Sequence, residues 1–170
     1  MATDLADFDR DGDVDLAVAV GGGARFARNV AHDDASFGGV WQYGSATAGT
    51  FSVAPVLGLA GQPTVGAPLE LRLQHVAGAG PAILGMSAAP GSLSILPFPS
   101  VTLALDLTAL APPSSVGLVP TGGLAKGFAL PLALSPSAAG LAVYLQALVF
   151  DAGAPDGLSA TRGLHVAIAP

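Results

Sequence analysis

Hydrophobic and polar positions alternate most regularly at Leu69-Glu70-Leu71-Arg72-Leu73-Gln74-His75-Val76, with leucines on one side and polar residues on the other. Period two predicts a strand of an antiparallel sheet with one face buried and one wet. Further segments of strand length follow at 82–87, 92–96, 101–107, 128–134, 142–150 and 164–168, separated by turns rich in glycine and proline. Pro131 inside 128–134 removes a ladder donor, which assigns that strand to an edge or a bulge. Residues 107–110 and 137–141 are read as single helical turns, and no stretch sustains a helical period. Upstream, 16–20 is a short apolar run bounded by Asp15 and Gly21-Gly22-Gly23, the pattern of a strand buried on both faces. Residues 24–30 return as the next strand, and Val40-Trp41-Gln42-Tyr43 forms a short aromatic one. The prediction is an all-β chain in two units: 1–55, and 56–170 as a β-sandwich or barrel, with the antiparallel sandwich preferred. Residues 58–66, with Pro63, are read as linker.

Composition tests this picture. Hydrophobic residues make up 51% and charged residues 11%, with a mean hydropathy of +0.62, so a membrane span has to be sought. A span needs about 18 or more consecutive apolar residues. The nearest candidate, 101–119, contains Asp106 and Pro112-Pro113, so no membrane span is expected. The net charge of −6 is uneven: residues 1–52 carry eight Asp against three Arg, and 53–170 carry four acidic against three basic residues. A chain without a basic patch is not expected to bind nucleic acid. Cysteine is absent, which excludes a disulfide framework and a thiolate zinc site. No basic and apolar leader of the secretory kind opens the chain.

The acidic excess lies in Asp7-Phe8-Asp9-Arg10-Asp11-Gly12-Asp13-Val14-Asp15. Aspartate stands at every second position, and Arg10 is too little counter-charge for five carboxylates. Hard oxygen donors at alternating positions, with a glycine sixth, suit Ca²⁺ better than Mg²⁺, which demands tighter octahedral geometry. Gly12 allows the bend that turns the carboxylates inward. An EF-hand is excluded, because its twelfth position needs a bidentate Glu and here is Val18, and strand-like sequence follows. The expected metal residues are Asp7, Asp9, Asp11, Asp13 and Asp15, with Ca²⁺ as the ion.

This loop, the apolar run 16–20, the glycine turn and Ala27-Arg28-Asn29 resemble one repeat of the FG-GAP/VCBS type. The resemblance covers about residues 4–30. It implies a partial β-propeller blade, with side-chain oxygens of Asp7, Asp9, Asp11 and Asp15 and the backbone carbonyl of Asp13 around the ion. One copy is present where a propeller needs about four to eight, so further repeats are expected upstream in a longer protein. Residues 141–151, with Gly157-Leu158-Ser159 and Gly163-Leu164, are similar to C-terminal domains of secreted bacterial proteins that follow such arrays. Together the resemblances imply a non-enzymatic, calcium-binding structural or adhesive module of a secreted or cell-surface protein, with an extracellular protein or polysaccharide as partner.

The sequence is also compatible with two other functions. A carbohydrate-binding accessory module would use Trp41 and Tyr43 as stacking rings, although packing is the commoner use of such residues. A glycoside hydrolase would need two of Glu70, Asp106, Asp151 and Asp156 to converge. Gly85-Met86-Ser87-Ala88-Ala89 approaches a nucleophile elbow but lacks the last glycine and the α/β setting. His32 with Asp33-Asp34 reads as a polar loop tip. His75 and His165 are read as surface or hydrogen-bonded histidines.

Overall fold

Short apolar segments punctuated by glycine and proline cannot build helices of useful length, and the chain instead pairs them side by side. A computed structural model describes residues 39–76, 81–109 and 128–170 in full, and the backbone of 2–6, 15–20, 23–27 and 116–120. The molecule is all-β, built from antiparallel sheets that include a curled half-barrel sheet. Its strands are β1 (Ala2–Ala6), β2 (Asp15–Val20), β3 (Gly23–Ala27), β4 (Gly39–Tyr43), β5 (Val56–Ala60), β6 (Leu69–Gln74) and β7 (Pro81–Ser87). They continue as β8 (Pro90–Ile95), β9 (Phe98–Leu105), β10 (Val116–Pro120), β11 (Phe128–Leu132), β12 (Ala142–Phe150), β13 (Leu158–Ala160) and β14 (Gly163–Ala167). Helical structure among the described residues is confined to 3₁₀ turns at Thr50–Ser52, Leu107–Ala109 and Pro136–Ala138, two of them on the predicted single turns. No helix among the described residues is long and apolar enough to cross a membrane.

Strands β1, β2 and β3 form a three-stranded antiparallel meander in that order. The largest sheet runs β10-β7-β12-β14-β4, with β13 also on β12. A second three-stranded sheet is ordered β11-β6-β5, and β8 pairs with β9 as a hairpin. The nine residues of β12 serve two partners along one edge: Ala142–Leu145 pairs with β14 and Leu148–Phe150 with β13. Ala147 faces the interruption between them. There the Thr161 hydroxyl accepts from the Ala147 amide at 3.0 Å, and the Thr161 amide donates to the Ala147 carbonyl at 3.0 Å. A side chain thus replaces the missing ladder bond, as buried backbone groups require.

The main core lies between the six-stranded sheet and β11-β6-β5. Leu71 and Leu73 of β6 meet Leu84 of β7, Leu145 and Val149 of β12, and Leu164 and Val166 of β14. On β6 the predicted alternation holds: Leu69, Leu71 and Leu73 are buried, while Arg72 and Gln74 are exposed. Strand β11 is an edge strand, with Pro131 opposite Glu70. The other face of the large sheet is covered by the β8–β9 hairpin. Val101, Leu158 and Ala160 form a small buried cluster there, with Ile95, Phe98 and Leu148 against it.

Several expectations need correction. Residues 58–60, read as the start of a linker over 58–66, belong to β5 (Val56–Ala60), because its alternate residues Leu57 and Leu59 face the core cluster. Strand β4 pairs along its whole length with β14, Val40 opposite Val166 and Trp41 opposite His165. Its aromatic residues fit the sheet they join, and residues 39–55 are hydrogen-bonded into the C-terminal part of the chain. Strands β1, β10 and β13 were not foreseen.

Candidate functional site

The acidic loop joins β1 to β2. Their register ends on Ala6 opposite Asp15, so the connection spans residues 7–14 between two paired ends. Asp15 opens β2. Asp7, Asp9, Asp11 and Asp13 lie outside the described residues, as do His32, Asp33 and Asp34. Among the described residues no group of three or more His, Asp or Glu side chains is placed to hold a metal ion.

The other carboxylates act in separate local clamps. The Asp151 carboxylate, 4% exposed, accepts from the Thr50 amide at 2.7 Å, the Thr50 hydroxyl and the Gly153 amide at 2.9 Å. Burial alone would raise its pKa, but the bonds from Thr50 and Gly153 bring it below the ordinary carboxylate value. Asp156 accepts from the Ser100 hydroxyl and amide, which lower its pKa. Asp106 accepts from the Thr108 hydroxyl at 2.7 Å and amide at 2.8 Å, with the same sign of shift. Glu70 accepts from Arg72 Nε at 2.5 Å on the exposed face of β6. Each of these carboxylates is engaged with its own local partner. Ser87 is no exposed nucleophile. It is 1% exposed, and its hydroxyl lies within hydrogen-bond reach of the Ala89, Asp106 and Ala109 carbonyls at 2.9, 3.0 and 3.3 Å.

A ladder of rings crosses the hairpin-covered side of the large sheet. Tyr144 on β12, His165 on β14 and Trp41 on β4 stand in register. His165 is stacked between the other two, at 4.6 Å and 5° from Tyr144 and 4.6 Å and 22° from Trp41. Its Nε2 is shielded from solvent and has no hydrogen-bond partner among the described residues. Desolvation lowers its pKa, because a charged imidazolium would be buried without a counter-ion. His165 is half-buried and held by stacking, with no hydrogen bond to its Nε2 among the described residues. Tyr43 meets Tyr144 edge-on at 5.7 Å and donates to the Ala104 carbonyl at 2.6 Å. Burial, with Tyr144 adding to it, pushes the Tyr43 phenol up to about 12. Its ring lies over Gly163, where a Cβ would come within 2.3 Å of it. Tyr43 thus ties β4 to the hairpin, and Trp41 packs on His165 of β14.

Sequence reasoning missed a cavity of about 380 Å³ between the two main sheets. Leu59, Leu71, Leu130, Leu145 and Ile168 line it, and Ser135 is the one polar residue in its wall. A separate pocket beside Leu73 and Phe128 holds only about 10 Å³. The larger cavity reaches the turn Pro136–Ala138 and Leu141, which is 53% exposed. Sealed and empty, an apolar void of this volume would cost on the order of 9 kcal/mol at about 24 cal/mol per Å³, comparable to a domain's whole stability. The usable signal in the sequence is Phe128-Ala129-Leu130-Pro131-Leu132-Ala133-Leu134: alternate apolar residues along an edge strand and just beyond it, Phe128, Leu130, Leu132 and Leu134, all only half-buried in the structure.

Comparison of the chain with protein-family models, with curated proteins and with solved structures returns no match.

Proposed function

We propose that the chain is a non-enzymatic, calcium-binding structural or adhesive module of a secreted or cell-surface protein. In this reading β1–β3 act as part of a propeller-like blade, and the two sheets around the main core act as a β-sandwich. The observation that carries it is the β1–β2 register, which holds both ends of the acidic connection at Ala6 and Asp15. A loop so tethered loses less entropy when it closes round an ion than a free segment does. Ca²⁺ would be held by side-chain oxygens of Asp7, Asp9, Asp11 and Asp15 and the carbonyl of Asp13, and would neutralise a charge that Arg10 cannot. Extracellular loops of this kind bind in the range of about 10⁻⁴–10⁻³ M, matched to the calcium outside cells. The separate hydrogen-bonded clamps of Asp106, Asp151 and Asp156 support a structural role for the remaining acidic residues. The sugar-platform reading draws less support, since one face of Trp41 is occupied by His165.

Calorimetric titration of the folded chain tests the reading. One calcium per chain should bind in the millimolar range or tighter, and Asp9→Asn with Asp11→Asn should abolish the heat. At a hundredfold excess over Kd, the ion should stabilise the unit it binds by about 2.7 kcal/mol. A folded sample that takes up no calcium at millimolar concentration, and melts identically with and without chelator, refutes the proposal.

A further inference from the structure

We infer that the cavity between the two main sheets is a binding site for one uncharged aliphatic chain, such as a medium-chain alcohol or ester. The volume of about 380 Å³ falls within the range of small-molecule sites, about 300–1,000 Å³. It is roughly two and a half times the void of about 150 Å³ that accepts one benzene, which leaves room for on the order of ten to fifteen carbon atoms. Two successive inward positions on each of three strands line it: Leu69 and Leu71, Leu84 and Met86, Val143 and Leu145. Such positions lie about 6–7 Å apart along a strand, so the space is longer than a single side chain.

The wall also selects the ligand's chemistry. Water in such a site needs two to four polar partners, and the wall supplies one hydroxyl, that of Ser135. No lining residue is charged, so a carboxylate or ammonium drawn inside would be desolvated without compensation. Ser135 lies at the turn end, its hydroxyl 2.9 Å from that of Ser137. Both residues are exposed and able to meet an uncharged polar end group where the cavity reaches solvent. Leu130, Leu132 and Leu134 are only half-buried along the same edge, which provides the way in. Nothing in this inference depends on calcium.

The test uses the full chain and the neutral fluorophore N-phenyl-1-naphthylamine. Saturable uptake of one probe per chain is expected, with displacement by 1-decanol at a concentration at least tenfold lower than by decanoate at pH 7. Ala138, half-buried on the turn and packed against the core, is the position to fill. Ala138→Trp should weaken the probe tenfold or more with the circular dichroism spectrum unchanged. Ser135 accepts from the Ser137 amide as the cap of this turn. Ser135→Asp keeps a good cap while charging the wall's one polar position, so it should weaken the probe several-fold in a folded protein and decides the matter even if Ala138→Trp does not fold. Absence of saturable uptake overturns the inference, as does uptake unchanged by the substitutions. Decanoate competing as well as decanol overturns the assignment to an uncharged ligand.

Discussion

The two faces of the six-stranded sheet are packed by different physics. The face toward β11-β6-β5 is leucine, valine and alanine, and it retains a cavity of about 380 Å³. The face toward the β8–β9 hairpin has a much smaller apolar cluster but a set of directed polar contacts. Gln146, 1% exposed, accepts from the Ala104 amide at 2.8 Å and donates to the Thr161 and Thr102 carbonyls at 2.9 and 3.1 Å. Tyr43 holds Ala104 from the other side, and Ser87 gathers the chain beyond β9. Dispersion and hydrophobic burial are non-directional and tolerate many arrangements of similar area. Hydrogen bonds at fixed distance tolerate few. One face therefore leaves room, and the other positions its hairpin uniquely.

That contrast can be broken, and the largest effect is expected at its centre. Gln146→Leu conserves size but leaves an amide and two carbonyls without their partner. It should cost about 2–4 kcal/mol in urea denaturation, since each unsatisfied buried group costs about 1–3 kcal/mol. Leu71→Ala on the opposite face should fall near the low end of its class, about 2–3 kcal/mol, because part of its surroundings is already void. A much smaller loss for Gln146→Leu than for Leu71→Ala would defeat the distinction. Next comes Gly163→Ala, whose new methyl group would meet the Tyr43 ring. Overpacking of this kind costs about 1–3 kcal/mol, and the perturbation should appear in the Tyr43 ring resonances by NMR.

The smallest effect is pH-dependent and belongs to His165. Its folded pKa is lowered by desolvation, so the unfolded chain binds its proton more readily. The stability associated with the neutral ring is complete above the unfolded value of about 6.5 and is lost as pH falls from there through the folded pKa. His165→Phe should flatten the stability profile just below about pH 6.5. Asp106, Asp151 and Asp156 have lowered pKa values, so the stability they contribute is present above the usual carboxylate value and lost only below it. The His165 window therefore opens at higher pH than that of the carboxylates. A slope just below about pH 6.5 that survives His165→Phe would assign it to another group.

Much of the strand order in sequence was legible because β6, β9 and β12 carry their burial pattern in their own residues, and Pro131 announces an edge by lacking a donor. Segments that owe their pairing to a distant partner were not legible. Residues 58–60 look like a linker until β6 lies beside them, and β13 is three residues held by the far half of β12. The roles of polar residues were the least visible. Gln146 looks like a lapse in an apolar strand, yet it carries three hydrogen bonds, two of them to the hairpin more than forty residues away in the chain. His165 has no carboxylate near it in sequence, and only register places it between two rings.

By itself, the sequence determined that this protein is all-β, which segments alternate, and where negative charge accumulates, because those properties follow from side chains and their spacing along a local backbone. The tertiary structure alone decided that β4 joins β14, that Asp106, Asp151 and Asp156 each find their own hydrogen-bonded clamp, and that the leucines of two sheets meet around a cavity. Those outcomes depend on which segments, far apart in the chain, share a register and how closely their faces approach, and no local pattern encodes either.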